Sequence, residues 1–89
     1  MHYVFEFDES KSRANRQKHG IDFREAQDLF TDGNLLRIAA RSDTESRFLF
    51  VGMIGNVHWS AITTYRGDAT RLISVRRSRA QEVQAYERE

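Results

Sequence analysis

Two adjacent arginines, Arg76 and Arg77, stand where the strand-like segment RLISV gives way to a helix signal. A helix N-terminus carries unpaired backbone N–H groups and the positive end of the helix dipole, both of which attract an anion. Arginine adds a planar donor fork that matches phosphate. The spacing therefore predicts a phosphate site at Arg76 and Arg77. The alternative is that Arg77 and Arg79 are ordinary surface residues beside a capped helix.

The charges of the 89-residue chain are unevenly distributed, although the formal net charge is only +1. Residues 37–79 contain eight arginines, no lysine and three acidic residues, whereas residues 1–36 and residues 80–89 each carry a net charge of −2. This arginine-rich middle segment favours contact with phosphate groups. A solvated surface of salt bridges would have the same composition, so both interpretations stay open on charge alone.

Signatures of other active sites are missing from the sequence. There is no cysteine, no His-x-x-x-His pair, no Gly-x-Ser-x-Gly turn and no glycine-rich phosphate loop. We therefore expect no metal and no cofactor, and the scattered histidines argue against a metal-dependent nuclease. His58 is the histidine best placed for acid–base chemistry, although a lone histidine on a strand is more often structural.

Composition bounds the class of protein. With 39% hydrophobic and 30% charged residues, the chain is typical of one globular domain covering residues 1–89. No apolar run approaches the roughly 18 residues of a membrane span, and the first residues do not resemble a secretory signal. We therefore expect a cytoplasmic protein.

The firmest local structure is a β-hairpin around the two-residue turn Gly55-Asn56. Pairing outward from this turn gives one apolar face, on which the missing side chain of Gly52 leaves room for the indole of Trp59 opposite. The other face is mixed and becomes polar toward one end. It pairs Met53 with His58, Val51 with Ser60, Leu49 with Ile62 and Arg47 with Thr64, and an extended ladder adds Glu45 and Arg66.

The face on which the last strand presents its side chains depends on the loop at Arg66-Gly67-Asp68. A three-residue loop sets Arg76 opposite His58 and Ser74 opposite Ser60, which joins both to the polar face. A two-residue Gly-Asp loop moves the whole strand to the other face. We favour the three-residue form because it gathers the polar groups, although the sequence alone permits both.

Three helices position these strands. Asp8 can cap a helix that ends at His19 before Gly20. The polarity of this helix predicts an exposed position that a partner protein could contact. A capping box at Asp22 and Glu25 begins a second helix with an apolar face, and a Ser-x-x-Gln box at Ser78 begins a C-terminal helix. The order strand, two helices, four strands and helix predicts an α+β fold with a largely antiparallel sheet.

The polar first helix and the segment after it carry a family resemblance. FEFDESKSRANRQKHGIDFREA is similar to the opening of BrnT-type toxins, in which FEWDE-x-K-x-x-x-N-x-x-KHG-x-x-F-x-x-A recurs. Downstream, RFLFVG resembles the arginine-led strand of the family, and RLISVRRSRAQEVQAYE resembles its R-x-ISxR segment with a trailing E-x-x-x-Y. Phe7 replaces the usual tryptophan, and the C-terminal helix carries fewer basic residues than in many relatives.

This resemblance implies a RelE-like fold and the toxin of a type II toxin–antitoxin pair. It also implies a metal-independent ribonuclease that is neutralised by a ribbon-helix-helix antitoxin similar to BrnA. The pair would repress its own operon by binding operator DNA through the antitoxin. By residue, the resemblance points to Arg47 and Arg76 as functional and to Lys18 as a further candidate for RNA binding.

RNA cleavage of this kind requires no nucleophile from the protein, because the 2′-hydroxyl of the substrate attacks the adjacent phosphorus. The protein must align the sugar and phosphate, stabilise charge on the phosphoryl oxygens and move protons. We expect Arg47, Arg76 and Arg66 to stabilise charge, and either Glu45 or His58 to transfer protons. Glu45 could equally be a surface partner of Arg47. The catalytic candidates are Arg47, Arg76, Glu45 and His58, and the RNA-binding candidates are Lys18, Arg66 and Arg77.

Two other functions use the same arginine-rich face. A nucleic-acid-binding protein without catalytic activity would bind RNA with strong salt dependence and leave it intact. A protein-interaction module would bind a partner and not RNA.

Overall fold

The computed structural model describes residues 3–41, 43 and 45–88, and within them the chain forms five strands, two α-helices and one 3₁₀ helix. The sheet order is β1-β5-β4-β3-β2, with β1 parallel to β5 and the other pairs antiparallel. The predicted α+β fold is confirmed. The elements are β1 (Phe5–Glu6), α1 (Glu9–His19), the 3₁₀ helix (Glu25–Thr31), β2 (Leu36–Ala40), β3 (Arg47–Ile54), β4 (Val57–Arg66), β5 (Ala69–Arg77) and α2 (Ala80–Arg88).

The two faces of the sheet have different roles. We call the face that carries Phe50, Ala61 and Val75 the inner face, because these three paired residues are almost fully buried beneath the 3₁₀ segment and α1. The opposite face, which carries Ser60 and Arg76, is the outer face, and α2 contacts it. The core cluster on the inner side comprises Ile21, Phe23, Ala26, Leu29, Phe30, Phe50, Ala61, Leu72 and Val75. No helix among the described residues is long and apolar enough to cross a membrane.

The hairpin around Gly55-Asn56 has the predicted register. Gly52 pairs with Trp59, Val51 with Ser60 and Arg47 with Thr64. The ladder ends at this last pair, so its predicted extension was wrong. Glu45 lies before β3, and Arg66 instead pairs with Ala69 across the next turn.

The space above Gly52 is occupied by Leu29 of the 3₁₀ helix and by the side chain of Leu35. A Cβ atom at this position would lie 2.8 Å from the carbonyl oxygen of Leu29 and 3.1 Å from the side chain of Leu35. The glycine therefore permits the 3₁₀ helix to approach β3 closely. The expectation that it makes room for the indole of Trp59 stays a prediction.

The last strand reaches the polar face by a route that the sequence did not indicate. The turn is the two-residue loop Gly67-Asp68, with Gly67 at a φ of 56°, so the favoured three-residue loop was wrong. A β-bulge then leaves Ile73 unpaired, because Thr63 pairs with Leu72 whereas Ile62 pairs with Ser74. One extra residue reverses the alternation of side chains beyond it. Arg76 therefore lies on the outer face after all, but opposite Ser60 and not His58.

Helix α1 docks through polar side chains. It begins after the Asp8 cap and ends before Gly20 as predicted, but Ser12 and Asn15 are buried. The amide of Asn15 donates to the Val75 carbonyl at 2.9 Å and to the Ile21 carbonyl at 2.8 Å, and accepts from the Val75 N–H at 3.1 Å. Because β1 pairs only with the beginning of β5, Asn15 replaces a strand partner farther along that edge. This face of α1 is therefore not open to a partner protein.

The second helical segment is a 3₁₀ helix with the predicted capping box. Asp22 Oδ1 accepts from the Glu25 N–H at 2.8 Å, and Glu25 Oε1 accepts from the Asp22 N–H at 3.0 Å. Phe23, Ala26 and Leu29 are fully buried against the inner face. The apolar residues of this segment thus take the position that was predicted for them, in a tighter helix.

Candidate functional site

The outer face carries a row of three charged side chains and one threonine across four strands. Arg47 lies opposite Thr64, Thr64 lies opposite Arg71, and Arg71 lies beside Glu6. We call these four residues the arginine row. The Arg71 guanidinium donates to Glu6 at 2.8 Å, and Arg66, with 62% of its side chain exposed, lies 3.9 Å from the same carboxylate. Cationic groups therefore remain accessible at this end of the sheet.

Arg47 is the member of the row with the fewest constraints. Its terminal nitrogen lies 3.2 Å from a carboxylate oxygen of Glu45, and 37% of its side chain is exposed. Its Nε atom is buried and has no hydrogen-bond partner among the described residues. Beside it an open cleft of about 640 Å³ is lined by Arg41, Asp43 and Phe48 as well as by this pair. An anion entering the cleft would meet the exposed part of the Arg47 guanidinium.

A second cluster surrounds Arg76, under the first turn of α2. The Arg76 guanidinium donates to both carboxylate oxygens of Glu82 at 2.8 Å, in a bidentate pair. The Ser60 hydroxyl donates to Glu82 at 2.8 Å and lies 2.7 Å from the Ser78 hydroxyl. The Arg79 backbone N–H adds a further bond to this carboxylate at 2.9 Å. We call Ser60, Arg76, Ser78 and Glu82 the Arg76 cluster.

Arg76 and Glu82 are both ionised over the physiological pH range. Hydrogen bonds from the Arg76 guanidinium lower the pKa of Glu82 to about 2, and those bonds in turn raise the pKa of Arg76. The side chains of both residues are mostly buried, with 17% and 13% exposed. A carboxylate of the protein itself therefore occupies the anion position that the sequence predicted at this helix end.

The cap of α2 differs from the predicted Ser-x-x-Gln box. Arg79 holds the cap position, because its N–H donates to the side chain of Glu82 three residues later. The Ser78 hydroxyl instead faces Ser60. The box is thus shifted by one residue, since Glu82 can bind Arg76 as well as the helix end and Gln81 is exposed.

The arginine row and the Arg76 cluster lie on the same face of the sheet, at different positions along the strands. Arg47 is opposite Thr64 and Arg76 is opposite Ser60, so they are offset by four residues, or about 13 Å along the strands. The half-buried apolar side chains of Leu49 and Ile62 lie between them. In this arrangement Arg47 pairs with Glu45 and Arg76 with Glu82, so the two guanidinium groups occupy separate positions that one extended ligand could contact.

His58 lies on the outer face beyond the Arg76 cluster, where it helps to hold α2. Its Nε2 lies 2.8 Å from a carboxylate oxygen of Glu87, and its ring stands edge-on to Tyr86 at 5.3 Å. The Tyr86 hydroxyl donates to Asp32 at 2.5 Å, a bond that raises the pKa of Tyr86 to about 12. Only 22% of the His58 side chain is exposed.

Two of the RNA-binding candidates lie away from the outer face. Lys18 is exposed on α1, which packs beside β5. Arg77 points to the inner side of the sheet, opposite to Arg76, and its guanidinium lies 5.7 Å from the centre of the Trp59 ring. The structure brings Arg47 and Glu45 together, directs Arg66 toward Glu6 at the other end of the arginine row, and places Arg76 and His58 under α2. It does not bring Lys18 or Arg77 to the row or to the Arg76 cluster.

Sequence reasoning missed Arg71, Ser60 and Glu82 as members of these clusters. Arg71 was missed because a three-residue loop would have set it opposite Thr63, on the inner face, whereas the actual turn sets it opposite Thr64. Glu82 was missed because Gln81 had been assigned to the cap. Among the described residues, no group of three or more His, Asp or Glu side chains could hold a metal ion.

The sequence matches a known protein family over most of its length. A family model described as "Ribonuclease toxin, BrnT, of type II toxin-antitoxin system" matches residues 7–82. The chain belongs to this family. The BrnT match covers the whole Arg76 cluster and every residue of the arginine row except Glu6. It ends at Glu82. A comparison with curated proteins gave no match.

Membership confirms the resemblance seen in the sequence, and the architecture is consistent with the RelE-like fold that it implied. BrnT proteins are ribonuclease toxins, so membership implies ribonuclease activity. Because they belong to type II toxin–antitoxin systems, it also implies a cognate antitoxin as a partner.

Proposed function

We propose that this BrnT-family toxin is an endoribonuclease that cleaves RNA without a metal ion, through attack of the 2′-hydroxyl on the adjacent phosphorus. The observation that carries the proposal is the family match over residues 7–82. The outer face supports it, because the arginine row and the Arg76 cluster lie on either side of an apolar strip that is formed by Leu49 and Ile62. A single strand of RNA could lie along this strip, with successive phosphates near the arginines.

We assign the scissile phosphate to Arg47. This guanidinium is partly exposed and lies beside an open cleft, whereas Arg76 already binds Glu82. In the reaction the 2′-oxygen bonds to phosphorus while the bond from phosphorus to the 5′-oxygen breaks. Arg47 stabilises the negative charge that grows on the phosphoryl oxygens. Arg66, close to the same row, binds a neighbouring phosphate.

Glu45 is the base in this assignment. Its carboxylate lies 3.2 Å from the Arg47 guanidinium, so a phosphate bound by Arg47 brings the 2′-hydroxyl within reach of Glu45. The carboxylate takes the hydroxyl proton, and the departing 5′-oxygen takes a proton from a water molecule to become a hydroxyl. His58 lies on the far side of Arg76 from this phosphate, so an acid role for His58 would require the reaction to occur at Arg76 instead.

We infer further that the cognate antitoxin is a ribbon-helix-helix protein similar to BrnA, that it neutralises the toxin, and that their complex binds operator DNA through the antitoxin. The family match supports a type II partner. We place this pair in the cytoplasm and assign residues 1–89 to one toxin domain. Lys18 and Arg77 lie away from the two clusters, so we assign them only auxiliary electrostatic contact with RNA.

The decisive experiment for this function is cleavage in the presence of a chelator. Purified toxin is incubated with single-stranded RNA in EDTA, and the fragment ends are identified by mass spectrometry. We expect each cleavage to give one fragment that ends in a 2′,3′-cyclic phosphate and one fragment that begins with a 5′-hydroxyl. Loss of cleavage in EDTA, with recovery on addition of Mg²⁺, would refute the metal-independent mechanism.

A non-catalytic nucleic-acid-binding function is the second candidate. The observation that favours it is the bidentate pair of Arg76 with Glu82, which occupies one of the two arginines that were predicted to be catalytic. Such a protein would bind RNA with an affinity that falls steeply as salt rises, and would leave it intact in every buffer. Intact RNA after saturation binding would favour this candidate.

A further inference from the structure

We propose that Glu82 is an internal competitor of RNA phosphate at Arg76, and that the first turn of α2 is a latch that must release Arg76 before RNA can occupy the whole outer face. This inference rests on the proposed function, since it concerns how the same face becomes available to RNA. It begins from the Arg76 cluster, where a carboxylate of the protein stands where a phosphate would be bound.

The Glu82 carboxylate uses the donors that a phosphate would need. It accepts two hydrogen bonds from the Arg76 guanidinium, one from the Ser60 hydroxyl and one from the Arg79 N–H, all between 2.8 and 2.9 Å. A fork of guanidinium nitrogens, a hydroxyl and a backbone N–H at a helix end form a donor set that suits phosphoryl oxygens equally well. Glu82 and a phosphate therefore exclude each other at this position.

The arrangement of α2 makes release of the latch feasible. Only two residues, Ser78 and Arg79, connect β5 to this nine-residue helix. Within the described part of α2, Tyr86 is the one residue classed as buried. Polar bonds hold the helix to the sheet at Glu82 and at Glu87, and to Asp32 after the 3₁₀ helix at Tyr86. These bonds can be exchanged for bonds to water or to an anion. A helix this short depends on such docking to keep its place.

The latch predicts a cost in RNA affinity that mutation can remove. A ligand that binds only the open form has an apparent affinity reduced by the fraction of molecules that are open. If the latch is closed in about nine-tenths of the molecules, opening it permanently tightens binding about tenfold. Replacing Glu82 with glutamine keeps the size of the side chain and removes the charge that holds it on Arg76.

The chain offers a matched control for this replacement. Glu9 forms a second bidentate pair, with Arg24, on the solvent side of α1 and far from the outer face. Glu9→Gln removes one negative charge and breaks one arginine pair, as Glu82→Gln does. Both changes raise the net charge equally, so a general electrostatic gain would appear in both variants.

The test is binding of a single-stranded oligonucleotide whose 2′-hydroxyls are methylated, so that it cannot be cleaved. We expect Glu82→Gln to bind it about tenfold more tightly than the wild-type protein. Glu9→Gln should show only the small gain that one unit of charge confers. Equal gains in the two variants, or weaker binding by Glu82→Gln, would overturn the latch.

A second measurement on the wild-type protein guards against a Glu82→Gln variant that fails to fold. Bound oligonucleotide should accelerate amide hydrogen exchange in α2, because Glu82 has left Arg76. Unchanged or slower exchange in α2 would overturn the proposal. The ribonuclease proposal and the latch proposal can fail separately. If the wild-type protein leaves RNA intact but Glu82→Gln binds the oligonucleotide more tightly, only the ribonuclease proposal is refuted. If RNA is cleaved but the two variants bind equally, only the latch is refuted.

Discussion

Arg47 and Arg76 project from the same face of the sheet, on strands that are separated by β4, but about 13 Å apart along the strand direction. The first is partly exposed beside a cleft, and the second is held by Glu82 beneath α2. Their positions fit the recognition of an extended strand at two points, and not the joint stabilisation of one transition state. The chemistry and the recognition can therefore be separated by mutation.

Removal of the Arg47 guanidinium should abolish most of the cleavage activity. We expect Arg47→Ala to lower kcat about 100-fold to 1000-fold, because a donor aimed at the developing negative charge is lost. Thermal stability should change little, since this side chain is partly exposed and its ion pair is weak. Single-turnover cleavage and a melting curve measure both effects. Arg24→Ala, at an arginine on the other side of the molecule, is the matched control and should cleave RNA at the wild-type rate.

Loss of the Asn15 amide should destabilise the fold strongly. Asn15→Ala leaves the N–H and carbonyl of Val75 and the carbonyl of Ile21 without their partner in a buried region. We expect the free energy of unfolding to fall by about 2–4 kcal/mol. Urea denaturation measures it, and the exposed residue Gln17 on the same helix provides a control, since Gln17→Ala should change the free energy very little. Equal effects of the two substitutions would contradict the role of Asn15 as a strand substitute.

A methyl group at Gly52 should separate the 3₁₀ helix from the sheet. In Gly52→Ala the new Cβ would lie 2.8 Å from the backbone oxygen of Leu29, and backbone cannot rotate away as a side chain can. We expect a loss of about 1–3 kcal/mol in the free energy of unfolding. Gly33→Ala is the control, because a Cβ at that position meets no atom within 4 Å. Chemical denaturation of both variants decides whether the close approach is real.

The Arg76–Glu82 pair should make stability depend on acid pH. The pKa of Glu82 falls from its ordinary value of 4.5 to about 2 in the folded protein, so the charged form stabilises the fold above pH 4.5 and this contribution is lost as pH falls toward 2. Over that range the wild-type protein should lose up to about 3 kcal/mol more than Glu82→Gln does. Urea unfolding at about pH 5 and about pH 2 measures the difference, and identical losses would show that Glu82 does not carry it.

The hairpin could be predicted from the sequence because its turn chemistry and its alternation agree. Gly55-Asn56 selects a two-residue turn, and every pair from Ile54–Val57 to Arg47–Thr64 follows from that single choice. The capping signals at Asp8 and Asp22 were equally reliable, since each depends on residues within four positions of one another. Local rules therefore gave the elements and most of their limits.

The pairing of the last strand could not be predicted, because two one-residue shifts restore the face of its side chains but move their partners by two residues. The Gly67-Asp68 loop puts Arg71 on the outer face, and the bulge at Ile73 is needed to keep Arg76 there as well. Nothing in the segment RLISVRR marks the bulged residue, since it depends on packing between β5 and its neighbours. The polar face was inferred correctly, but for the wrong reason.

The candidate site was only partly predictable for a similar reason. Arg47 and its partner Glu45 were both recognised from the sequence. Arg76 and His58 were recognised as well, but their partners Glu82 and Glu87 lie on α2. Contacts between a helix and a sheet require the tertiary arrangement. The sequence showed the positive charge of the site and did not show the carboxylates that cover part of it.

Cleavage of RNA substrates of two lengths tests most directly that Arg47 acts at the scissile phosphate and Arg76 at a separate one. A dinucleotide has one phosphate, whereas an octanucleotide also reaches the Arg76 cluster. We expect Arg47→Ala to lower kcat on both substrates, and Arg76→Ala to raise KM for the octanucleotide while leaving kcat/KM for the dinucleotide unchanged. If Arg76→Ala instead abolishes dinucleotide cleavage as Arg47→Ala does, the two arginines serve one phosphate and the separation of roles is contradicted.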